Sequence, residues 1–94
     1  MRPHLVFRVH ALQRMFQRSI TEADVRRVLE IGKIIEAYPH DEPYPSRLML
    51  GWIGSRPLHI VAADHEAEQA TIVITVYEPD PARWEPSFER RRGP

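Results

Sequence analysis

Apolar positions recur at helical spacing in the first third of the chain and alternate in the rest. Leu12, Met15 and Phe16 stand at i, i+3 and i+4 with Ala11 beside them, the spacing of one buried helix stripe, and polar residues fill the other side. Thr21 then offers an N-cap with Asp24 three residues on, an aspartate version of the capping box, and Val25, Val28 and Leu29 carry a second apolar stripe. A second helix is therefore predicted from Glu22 to Ile31, stopped by Gly32 in a left-handed conformation. Residues 5–9, ahead of both helices, read as a short extended lead.

After Gly32 the period becomes strand-like. Lys33 to Tyr38 is rich in β-branched and aromatic residues, and the three prolines between Pro39 and Ser46 force a loop. Further strands are predicted at Arg47 to Ile53, Leu58 to Ala63 and Ala70 to Glu78, separated by turn-forming segments. Pro79-Asp80-Pro81 ends the meander, and Trp84 and Phe88 are placed to anchor a basic tail. Alternation puts Leu48, Leu50, Trp52, Leu58, Ile60, Ala62, Ile72, Ile74 and Val76 against the helices. Arg47, Met49, His59, Val61, Ala63, Thr71, Val73, Thr75 and Tyr77 fall on the other side, expected to be partly open. The expected fold is α+β: two N-terminal helices packed on one face of a mainly antiparallel four-stranded sheet, in one domain over residues 1–94.

Ninety-four residues suffice for one core and are too few for two. The chain has no cysteine, which removes disulfide scaffolds, cysteine-based zinc ribbons and thiol chemistry and suits a cytoplasmic location. Apolar runs fall short of a membrane span, and Met1-Arg2-Pro3-His4 leads into no signal-peptide core. Formal net charge is zero, but it is unevenly spread. Residues 1–18 hold four arginines and no acid, residues 90–94 hold three more, and all thirteen acids lie between. Twelve of the thirteen bases are arginine, whose planar fork matches phosphate oxygens, so the two basic ends point to a polyanionic partner.

His59 is the most informative single residue, an imidazole inside the apolar run Leu58-His59-Ile60-Val61. It is either a satisfied structural histidine or a proton-transfer group, and alternation puts Tyr77 and Arg47 on the same face. His10, Arg14 and Arg18 recur at i, i+4 and i+8 on the first helix, a row that either clamps phosphates or is simply solvated. His40-Asp41-Glu42 and Asp64-His65-Glu66 gather ligand types in polar loops without the framework of a metal site, so no metal or other cofactor is expected. No serine has nucleophile-elbow glycines around it.

The segments His10-Ala11-x-x-Arg14-Met15-x-x-Arg18-x-Ile20-Thr21, Tyr44-Pro45-Ser46, Arg56-Pro57-Leu58-His59-Ile60-Val61 and Ile74-Thr75-Val76-Tyr77-Glu78-Pro79-Asp80, with Trp84, resemble a bacterial family known as a domain of unknown function. Its members look like RelE-fold proteins and are often encoded beside antitoxins of the MqsA kind, with zinc-finger and helix-turn-helix parts. Likeness to RelE-like, BrnT-like and MqsR-like toxins implies a type II toxin, a metal-independent endoribonuclease that cuts messenger RNA, in some relatives on the ribosome. On that resemblance His59 is cast as general base, His10 or Tyr77 as general acid, and Arg14, Arg18 or Arg47 as stabilisers of phosphorane charge. Arg14, Arg18, Arg90 and Arg91 would hold the RNA, and an antitoxin would be the protein partner. RelE-like enzymes rely on several lysines as well as arginines, whereas Lys33 is the single lysine of this chain. The competing expectation is a RelE-fold domain that binds without chemistry. Convergence of His10 and His59 on one open pocket favours the nuclease, and a buried His59 favours binding.

Overall fold

The computed structural model describes residues 3–93, so Arg2, counted above in the basic N-terminal stretch, lies outside the described residues. The elements run β1 (His4–Phe7), α1 (Val9–Arg18), α2 (Glu22–Ile31), β2 (Lys33–Tyr38), β3 (Ser46–Ile53), β4 (Arg56–His65), a 3₁₀ turn (Glu66–Glu68) and β5 (Ala70–Tyr77). The class is α+β, but the sheet has five strands and is mixed, in the order β1-β5-β4-β3-β2. The expected four-stranded antiparallel sheet is corrected by the lead segment. It forms a parallel edge strand on β5, with Leu5 opposite Thr71 and Phe7 opposite Val73. A pairing between positions so far apart in the chain has no local turn to announce it.

Helix α2 begins as its cap dictates. Thr21 Oγ1 accepts from the Asp24 amide and Asp24 returns the bond to the Thr21 amide, both at 3.0 Å. The left-handed stop falls instead at Ser19, with φ of 53°, at the end of α1. Gly32 is extended, with φ of −74°. Space requires the glycine there: a Cβ would lie 2.4 Å from the Val28 carbonyl oxygen and 2.8 Å from that of Leu50.

Both helices cover one face of the sheet, α1 over β5 and α2 over β3 and β4. Their shared core holds Ala11, Met15, Ile20, Val25, Val28, Met49, Leu58, Ile60, Ala62, Val73 and Val76. The faces of β4 follow the expected alternation, whereas β3 is turned over: Met49 pairs with Ile60 on the helix side and Leu50 with His59 on the other. Both alternate sets of β3 are apolar, so periodicity could not choose between them. Gly51 decides the matter. A Cβ on it would stand 2.6 Å from Val28 Cγ2, so α2 rests directly on the bare strand backbone.

In β5 a bulge against Val61/Ala62 splits the alternation. Val73 pairs with Ala62 and Val76 with Ile60, both core, while Thr75 and Tyr77 pair with Val61 and His59 on the far side. The expected faces thus hold for Thr75, Val76 and Tyr77 and are reversed for Thr71, Ile72 and Val73. On α1 the expected stripe is half right. Ala11 and Met15 are buried, but Leu12 is 48% and Phe16 89% exposed.

Gly51→Ala should lower stability by about 1–3 kcal/mol through overpacking against Val28, and Val28→Ala in the same chain should recover part of that loss. Urea unfolding of the two single variants and the double variant measures this coupling.

Candidate functional site

On the face away from the helices, pairing across β3, β4 and β5 brings Leu50, His59 and Tyr77 into one row. This face is not open. After β5 the chain folds back as a small hairpin, with Glu85 N–H donating to the Arg90 carbonyl at 2.9 Å and Arg92 N–H to that of Arg83 at 2.8 Å. The hairpin crosses the sheet to β2, where Glu89 pairs with Lys33 at 2.6 Å and Arg91 with Glu36. Trp84 is buried and sets its ring edge-on to His59, with centroids 4.4 Å apart, and Phe88 meets Trp52 at 5.9 Å. The expectation that Trp84 and Phe88 anchor the tail is realised in these contacts.

His59 is fully buried. Its Nε2 lies 2.8 Å from the Phe88 carbonyl oxygen and its Nδ1 3.2 Å from the Tyr77 hydroxyl. A carbonyl only accepts, so Nε2 carries the proton, Nδ1 is the bare nitrogen, and Tyr77 donates to it. The ring is neutral and both nitrogens are occupied. Burial pushes its pKa below the ordinary 6.5, helped by the nearby Arg91 cation and opposed by the Phe88 bond and the Glu36 charge. Burial also raises the Tyr77 phenol above its ordinary value, so it stays protonated at neutral pH.

Tyr77 stands at the edge of a cleft of about 470 Å³ lined by Tyr77, Asp80, Arg83, Trp84 and Arg91. The Arg91 guanidinium lies 4.8 Å from the centre of the Trp84 ring, a cation–π contact, and its Glu36 partner also accepts from the Tyr38 hydroxyl. Asp80 Oδ1 accepts from the Ala82 amide at 2.9 Å. The Arg83 side chain makes no hydrogen bond or ion pair among the described residues.

The structure thus joins His59, Tyr77 and Arg91 and leaves the other expected site residues elsewhere. Arg47 pairs with Ala62 on the helix side, where it holds Asp64 at 3.0 Å. It therefore does not share a face with His59, contrary to the alternation reading, because β3 is turned over. His10, Arg14 and Arg18 are exposed on α1, across the sheet from His59. The two histidines do not converge. Arg90 is exposed on the tail hairpin. A hollow of about 540 Å³ on the helix side takes in Arg26 and Arg47, but both are paired, with Glu22 and Asp64. His65, from the second loop cluster, stacks on Tyr44 with centroids 4.6 Å apart.

The sequence reading missed Asp80 and Arg83 as cleft residues, and Glu36 as the anchor of Arg91. The signal for the first two was the Pro79-Asp80-Pro81 turn, read only as the end of a strand.

The family model described as a domain of unknown function, DUF4258, matches residues 7–78. The chain belongs to this family. No curated protein and no solved structure matches this DUF4258 chain. The matched stretch holds His59 and Tyr77, whereas the hairpin that supplies Arg83, Trp84 and Arg91 follows it. No helix among the described residues is long and apolar enough to cross a membrane.

Because the folded-state pKa of His59 lies below the unfolded one, the unfolded chain binds the proton first. The stability contributed by neutral His59 is therefore whole above about pH 6.5 and falls as pH drops toward the folded-state pKa. Melting temperature against pH should show this decline in the wild type and a shallower one in His59→Gln. Tyr77→Phe leaves Nδ1 without a donor and should cost about 1–2 kcal/mol in urea unfolding at neutral pH.

Proposed function

We propose that this DUF4258 domain is a metal-independent endoribonuclease of the toxin type, acting on messenger RNA at the cleft beside Tyr77. The observation that supports this reading is a phenol hydroxyl held by a buried imidazole at the rim of an arginine-lined cleft. In the reaction the ribose 2′-oxygen attacks the neighbouring phosphorus and the bond from phosphorus to the 5′-oxygen breaks. The products are a 2′,3′-cyclic phosphate and a 5′-hydroxyl. The 2′-hydroxyl proton passes to the Asp80 carboxylate, the acid that lines the cleft, and the Tyr77 hydroxyl turns its proton from His59 Nδ1 to the departing 5′-oxygen. Asp80 then releases its proton to water and Tyr77 takes one back, which restores both groups. Arg83 and Arg91 offset the charge that builds on the phosphorane.

His59 is a positioning residue in this scheme. Its free nitrogen is taken by Tyr77 and its pKa is lowered, so the general-base role expected for it passes to another group. The toxin reading brings with it an antitoxin as protein partner, of the zinc-finger and helix-turn-helix kind that the sequence resemblance implies. A binding domain without chemistry is the second reading. It is favoured by the burial of His59, by the separation of His10 from it and by the pairing of Arg91 with Glu36, so the nuclease reading rests on Tyr77 and Asp80 in the cleft and on neither histidine.

Purified wild type should cleave a single-stranded messenger RNA substrate to fragments with cyclic-phosphate ends, and Tyr77→Phe and Asp80→Asn should each slow cleavage by roughly 10²–10⁴-fold. Circular dichroism of both variants establishes that the fold is kept. RNA that is retained on soluble wild type but left intact would overturn the nuclease and establish the binding reading.

A further inference from the structure

The hairpin after β5 has two sides, and its register decides which residues share each. Trp84 bridges Arg91 across it, the Arg92 amide donates to the Arg83 carbonyl at 2.8 Å and the Glu85 amide to that of Arg90 at 2.9 Å. Trp84 and Arg91 turn to the sheet, where one meets His59 and the other Glu36. Their neighbours on both strands therefore turn outward, with Arg83 opposite Arg92 and Glu85 opposite Arg90. All three arginines are exposed. The outer side thus sets three arginines against one glutamate, and none of these four side chains is apolar.

Like charges directly opposite each other on one face of a strand pair are destabilising. Arg92 is also held in place: its Nε donates to the Pro81 carbonyl at 2.8 Å, which keeps the guanidinium beside the turn that leads into the hairpin. Its two terminal nitrogens donate to nothing among the described residues. From the same turn Arg83 lines the cleft beside Tyr77. Lack of an acid partner does not by itself mark a site, since Arg8, Arg14, Arg18 and Arg27 share it among the described residues. Register marks this one. Two guanidinium forks stand on the same side of one strand pair at the rim of the cleft, and Arg90 follows two residues, about 7 Å, further along.

We propose that Arg92 and Arg90, on the outer side of this hairpin, bind the backbone phosphates of a single-stranded polynucleotide next to the phosphate held at Arg83 in the cleft. A planar guanidinium matches a pair of phosphate oxygens, and backbone contacts of this kind call for charge without apolar surface. An acidic protein fits less well, because a protein interface needs a core of apolar or aromatic anchors and this side has none. The inference deepens the reading of the Tyr77 cleft as an RNA-cleaving site and rests on it for the identity of the strand.

The probe is a short single-stranded 2′-O-methyl RNA, which lacks the attacking hydroxyl, so its binding to the full chain is measured apart from cleavage. Fluorescence anisotropy should show Arg92→Gln and Arg90→Gln each weakening it about three- to tenfold. The double variant should flatten the slope of log affinity against log salt by roughly 1.4, about 0.7 for each lost phosphate contact. Arg8→Gln, which removes an equally unpaired arginine at the start of α1, should change neither. The Arg90 side chain makes no contact among the described residues, so its loss tests binding and not folding, and circular dichroism verifies the others. A 2′-deoxy strand of the same sequence should show the same dependence, since the contacts are to phosphate. Hairpin variants equal to wild type in affinity and slope would overturn the proposal, as would a dependence confined to the RNA strand. Poly-glutamate bound with the same dependence would overturn it too and give this side to an acidic protein. Wild type that leaves ordinary RNA intact but shows the expected losses would overturn the nuclease and uphold the phosphate contacts. Cleavage with a KM unmoved by Arg92→Gln and Arg90→Gln would do the reverse.

Discussion

A neutral imidazole removed from water must find one acceptor and one donor, and His59 finds them on opposite sides of itself. The acceptor is the Phe88 carbonyl, on a residue held at φ of 59°, a left-handed conformation that costs a bulky side chain about 1 kcal/mol or more. The donor is Tyr77, its direct partner across β4 and β5. Satisfying His59 therefore brings the segment after β5 over the sheet. Once there, Trp84 packs on the ring, Arg91 reaches Glu36, and Glu89 reaches Lys33. The cleft beside Tyr77 exists because that segment supplies its walls.

The helix layer depends on close approach. Val28 presses on Gly51 and on the Gly32 backbone, so α2 sits low on β3. The bulge between β4 and β5 lets Val73 and Val76, three residues apart, both enter this core. The same bulge returns Tyr77 to the far face in register with His59. One irregularity in pairing thus serves the core and the candidate site together.

The cleft beside Tyr77 and helix α1 lie on opposite sides of the sheet. The cleft on one side combines a protonated phenol, a carboxylate and two arginines, with the imidazole behind them fixing the phenol's direction. The outer side of α1 leaves Val9, Leu12 and Phe16 exposed.

Local chemistry was legible in the sequence wherever one short segment decides its own state. Thr21 with Asp24 fixed the start of α2, β2 appeared over its full length, and the alternation of β4 set Ile60 inward and His59 outward. Alternation also put Tyr77 on the same face as His59, but their direct pairing came only from the register of β4 on β5. Other features rest on contacts between distant segments and left no local mark. The parallel pairing of β1, the inversion of β3, the burial of the far face and the exposure of Phe16 are of this kind. An apolar residue in a helix or strand records only that it can be buried. What buries it is settled by where other segments pack, and on α1 no other segment of the described chain covers the outer stripe.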